Sequence, residues 1–160
     1  MEWLRKKVLN PIFDQLKQGT SPDKLAWSVC LGASLAMFPI LGSTTFLCAI
    51  VGQIFRLNHV AMQTVNYLFY APQLALIPVL IRLGEKMTGA EPLPIDLVAM
   101  KNLFIESPAR FLQDFGMAGA HGILAWAVIL PIPTWAAARL LARQFRARQL
   151  KHPQSDSSKA

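Results

Sequence analysis

Acidic residues are missing from the longest stretch of this chain: between Lys24 and Glu85 there is no Asp or Glu. That gap excludes paired-carboxylate acid–base work from the region. Cysteine is nearly absent too. Cys30 and Cys48 have no CxxC partner and no His at ligand spacing, so both read as small packing residues rather than a disulfide or a metal site. His59, His121 and His152 share no motif, and HExxH, GxSxG and P-loop patterns are lacking. No nucleophile–base pair is legible, so the sequence predicts no catalytic residue, no metal and no cofactor. The first 20 residues lack an apolar h-region, which argues against a cleavable signal peptide.

What is present is apolar length. Charged residues make up 16% of the chain, against a usual quarter or so, and they are segregated. Leu25–Phe55, Leu57–Ile81 and Phe115–Ala138 carry no Lys, Arg, Asp or Glu. A hydrocarbon core about 30 Å thick takes roughly 20 residues of helix to cross, and each run is that long. Three such lengths exceed what a soluble core needs in a one-domain chain of 160 residues. The predicted class is all-α, an integral membrane helical domain.

The net charge of +7 invites a nucleic-acid reading, but the position of the charge argues against it. Arg5, Lys6, Lys7, Lys17 and Lys24 precede the apolar runs, and Arg139, Arg143, Arg146, Arg148, Lys151 and Lys159 follow them. Basic residues in such places meet anionic headgroups. No basic motif interleaved with aromatics, of the kind that stacks bases, is present. Membrane lipids are the expected partners, and nucleic acid is not.

Three segments follow. Residues 1–18 repeat Leu4, Val8, Ile12 and Leu16 every fourth position beside Lys and Arg, which predicts an amphipathic surface helix, at the membrane interface or packed on the rest of the protein. Residues 19–146 form the membrane domain, and 147–160 a disordered basic tail. Ser21-Pro22-Asp23 starts a helix with an N-cap hydroxyl, a first-turn proline and an acid. It is expected to reach about Phe38, where Pro39 and Gly42 break it. The apolar part on each side is about 13 residues, roughly 20 Å of helix, too short to cross. Two half-helices meeting at a turn predict a re-entrant pair; a kinked single span is the alternative. Pro72 and Pro78 interrupt the second run, and Leu130–Trp135, with two prolines, the last, giving two Pro-broken spans. An amphipathic piece over 94–106 is expected on the far surface.

Charge orients this arrangement. Residues 85–115 are net negative, whereas both termini and Arg56 are positive. The positive-inside rule then puts the termini and the Arg56 turn in the cytoplasm.

The structural break at Pro39, Gly42 and, later, Pro72 is also where chemistry is best placed. A helix starting near Ser43 exposes unpaired N–H groups and the positive end of its dipole. Ser43, Thr44 and Thr45 could donate to a phosphate or carboxylate there; alternatively one hydroxyl caps the helix while Gly42 supplies the turn. Arg56 is the nearby cation, but it lies 11 or more residues away on the same helix, roughly 16 Å, too far to share one small ligand with them. Gln63, Asn66 and Gln73 read as amides that join helices.

Gly32, the Pro39-x-x-Gly42 break, Arg56-x-Asn58 and the Leu83-Gly84 pair together resemble the bacterial DUF2062 family over about residues 19–89. Similar sequences usually carry Asn-Pro-x-Thr where this chain has Ala71-Pro72-Gln73-Leu74. The resemblance implies a bacterial inner-membrane protein. Because some family members are fused to glycosyltransferase-type enzymes, it also implies work on envelope lipids or glycans. The expectation is a non-enzymatic protein that binds or translocates an anionic lipid or lipid-linked envelope precursor. The alternative is a structural module that anchors or organises an envelope-biosynthesis enzyme.

Overall fold

A computed structural model describes residues 20–92 and 97–151. The expected surface helix over 1–18 and the chain beyond 151 lie outside these residues. Among the described residues every regular element is a helix: α1 Pro22–Ala36, α2 Thr44–Ile54, α3 His59–Leu68, α4 Tyr70–Thr88, α5 Leu97–Glu106, α6 Pro108–Ile129 and α7 Pro131–Lys151. Helical backbone thus continues into the segment from 147 expected as a tail, in keeping with the strong helix formers Arg, Ala, Gln and Leu there.

α1 begins as its sequence dictates. The Ser21 hydroxyl accepts from the Lys24 N–H, Pro22 occupies the first turn and Asp23 faces the positive end of the dipole. It ends at Ala36. Gly42, at φ +82°, makes the left-handed turn that lets α2 begin at Thr44.

Close contacts set the register. The Asn58 N–H donates to Ser28 Oγ at 2.8 Å, and Gly32 faces the Met62 backbone one turn on, so α1 and α3 run parallel. Gly52 lies against His59, whereas Thr45 meets Gln63 and Asn66, so α2 runs antiparallel to α3. α1 and α2 are therefore an antiparallel hairpin of 15 and 11 residues. At 1.5 Å per residue these are roughly 22 and 16 Å long, both short of a bilayer core.

The remaining helices pass this hairpin in bent pairs. α3 and α4 meet at 68° around Phe69, and α6 and α7 at 42° around Leu130. Pro72 has no N–H for the Leu68 carbonyl and its ring crowds that oxygen; Pro131 and Pro133 do the same to Ala127 and Ile129. Among the described residues no single helix is long and apolar enough to cross a membrane, but each bent pair meets the length and composition of a span. These are the two Pro-broken segments expected from sequence, except that Pro78 does not interrupt the second run: it lies inside the continuous helix α4.

α7 returns along α1. Ala142 and Phe145 pack with Leu25, Ala26 and Ala61, and Arg146 holds Asp23 through both carboxylate oxygens. The start of α1, the Asn58 turn and the end of α7 thus share one end of the molecule, while α4 and α6 pack together beyond the break. A second cluster of Leu35, Cys48 and Met62 fills the hairpin, and both cysteines are free thiols.

Candidate functional site

The break from Met37 to Ser43 sits where the bent pairs meet. Carbonyls at the end of a helix are under-satisfied by its own N–H groups. Two of those around the end of α1 are met from far along the sequence, although the Ser34 carbonyl also accepts from the Met37 N–H at 3.2 Å. Gln73, buried in the first turn of α4, donates its Nε2–H to the Phe38 carbonyl at 2.8 Å. Trp126 of α6 donates its indole N–H to the Ser34 carbonyl at 2.9 Å, and its ring meets Phe38 edge-on at 5.2 Å. Pro39 is buried against Gly122 of α6, whose missing side chain leaves room for the proline ring. The break is a clasped joint between α1 and both long pairs.

The hydroxyl residues have partners of their own. Ser43 holds the N-cap position with helical torsions of −80° and −22°, not the extended ones a capping side chain needs, so it makes no cap bond. Its Oγ–H donates to the Ile40 carbonyl at 2.8 Å instead. The expected hydroxyl cap is therefore not made by Ser43. Thr44 is buried. Thr45 Oγ1 accepts from Asn66 Nδ2 at 3.3 Å, and its carbonyl accepts from Gln63 Nε2 at 3.0 Å. Asn66 Oδ1 is buried and has no hydrogen-bond partner among the described residues.

Arg56 lies beyond the other end of α2, exposed and at φ +50°. The structure does not bring it to Ser43–Thr45. The turn it belongs to is organised by Asn58, whose Oδ1 accepts from the Ala61 N–H and caps α3, while its Nδ2–H donates to Thr20 Oγ1. Among the described residues, no group of three His, Cys, Asp or Glu could hold a metal ion.

The family model DUF2062, described as "Uncharacterized protein conserved in bacteria", matches residues 5–151. The chain belongs to the DUF2062 family. No curated protein and no solved structure matches it. In this DUF2062 chain five of the residues that carried the resemblance have a clear physical role. Gly32 and Gly84 admit a neighbouring helix backbone, Pro39 and Gly42 make the break, and Asn58 caps α3. Gln73, in the segment that departs from Asn-Pro-x-Thr, is the polar group that reaches the break. Trp126 was not legible as its second partner, since an indole in an apolar run gives no sign of which carbonyl it meets.

Converting Thr44 and Thr45 together to Val should cost about 1 kcal/mol, the worth of one modest hydrogen bond. Thermal unfolding of the purified variant checks this. A loss of several times that size would mean the hydroxyls hold more than Asn66.

Proposed function

We propose that this DUF2062 chain is a non-enzymatic, multi-pass protein of the bacterial inner membrane that binds or translocates an anionic lipid or lipid-linked envelope precursor. One observation carries the reading. Large apolar side chains on α2, α3, α4, α6 and α7 stand exposed, with Phe46, Leu68, Leu112 and Ile132 each at least two-thirds accessible. Soluble proteins seldom expose apolar surface on this scale, and lipid tails cover it at no hydrophobic cost.

The α1–α2 hairpin then enters and leaves on one side as a re-entrant pair, and the bent pairs cross. The end that gathers Lys24, Arg56 and the α7 arginines is cytoplasmic by the positive-inside rule. Nucleic acid is not a partner in this reading. Alkaline carbonate extraction of bacterial membranes tests it: the chain should stay in the pellet, and release into the supernatant would end the proposal.

A specific observation favours a second reading, a structural module that anchors or organises an envelope enzyme: the Ser43 and Thr45 hydroxyls already have internal partners. Mass spectrometry of lipids retained by the purified chain separates the two. One phosphorylated lipid enriched over bulk supports the binder; bulk lipid alone supports the module.

A further inference from the structure

Between α1 and the middle turns of α7 lies a cavity of about 710 Å³, within the usual range of small-ligand sites, about 300–1,000 Å³. Arg139, Arg143 and Arg146 line it from α7, with Trp135; Asp23 and Trp27 line it from α1. The arginines recur at i, i+4 and i+7, which places all three on one helix face.

Their states differ. Arg146 is neutralised by the two-point ion pair with Asp23. The Arg139 guanidinium lies over the Trp135 ring at 5.2 Å. No carboxylate among the described residues pairs with Arg139 or Arg143. Two like charges one turn apart repel each other and destabilise a helix, unless an anion sits between them.

We infer that this cavity holds the phosphate group of an anionic phospholipid, with Arg139 and Arg143 as its ligands. A guanidinium presents a planar fork that matches phosphate oxygens two at a time. Trp27, Trp135 and Leu140 supply an apolar wall for the glycerol and the first acyl carbons, in the manner of aromatic residues at a membrane interface. Along α7 the arginines follow the apolar turns that carry Ile132 and Trp135, the level at which tails give way to headgroups. The Asp23–Arg146 pair borders the cavity and ties α7 to the first turn of α1. The inference rests on the membrane reading for the source of its ligand; a soluble phosphoester shares the chemistry.

The test uses the purified full chain in neutral detergent, titrated with brominated phosphatidylglycerol while tryptophan fluorescence is recorded. Trp27 and Trp135 line the cavity, so bound lipid quenches them saturably. Arg139→Gln/Arg143→Gln should weaken apparent affinity at least tenfold, and Arg143→Gln alone should weaken it severalfold. Both arginines are exposed, so the thermal midpoints should stay close to that of the parent.

Millimolar inorganic phosphate added as competitor distinguishes the sources. Quenching that resists it supports a lipid headgroup; quenching that it reverses supports the same phosphate ligation, with a soluble phosphoester as the natural ligand. Quenching that is unsaturable, or unchanged in both variants, overturns the inference. A chain that still resists carbonate extraction would then lose the cavity and keep its place in the membrane.

Discussion

Replacing Gly84 with Val is expected to force α4 away from α6 and to lower the thermal midpoint sharply. A Cβ at this position would stand 1.9 Å from the His121 carbonyl oxygen and 2.3 Å from its carbon. Both atoms are backbone, so no side chain can swing aside and one helix must move. Overpacking of this kind costs roughly 1–3 kcal/mol and occasionally more, a large share of a typical total of about 5–15 kcal/mol. Separation would also loosen Ile81 and Pro39 against Gly122, since the same crossing holds them.

Even Gly84→Ala should destabilise, although alanine is the better helix former by about 1 kcal/mol. Gly119 is the control. It lies on α6, and a methyl group there would meet nothing within 4 Å, so Gly119→Ala should be neutral or slightly stabilising. Thermal midpoints in detergent would decide it, and a Gly84→Ala protein as stable as the parent would contradict the close α4–α6 approach.

The second large effect concerns the clasp. Gln73→Leu keeps the side chain's bulk but withdraws the donor from the Phe38 carbonyl, and Trp126→Phe withdraws the donor from the Ser34 carbonyl. Without Gln73 the Phe38 carbonyl loses its donor, and leaving a buried acceptor unpaired costs about 1–3 kcal/mol. The Ser34 carbonyl keeps the Met37 N–H at 3.2 Å, so Trp126→Phe should cost only about 1 kcal/mol. Gln73→Leu should therefore have the larger effect of the two. The two should not be additive. Trp126 also packs its ring on Phe38, so loosening either contact weakens the other. A double-mutant cycle on unfolding midpoints measures the coupling. Strict additivity would mean the two bonds serve separate places rather than one joint.

How much of this was legible in the sequence follows from the range of each interaction. The start of α1 was, because Ser21, Pro22 and Asp23 act within one turn. The break and both bends were, because Pro39, Gly42, Pro72, Pro131 and Pro133 impose local torsions whatever surrounds them. The partners of the break were not. Gln73 reaches back 35 residues and Trp126 92, and periodicity tells which face is apolar without telling what it meets. Ser43 shows the limit at short range as well: its residue type suits a cap, but its torsions do not, and the hydroxyl turns back to Ile40. The α7 arginines were readable only as diffuse contacts to headgroups. That Asp23 removes Arg146 from this set, and leaves Arg139 and Arg143 facing a cavity, depends on how α1 and α7 pair.

The Asp23–Arg146 pair has a consequence for anything joined to this chain. It brings the first turn of one helix beside the last turns of another, so α1 begins and α7 ends at one end of the bundle. A domain tethered ahead of α1 and another tethered behind α7 would emerge beside the same end of the bundle and compete for the space there. A cargo hung from either end would reach the same surroundings.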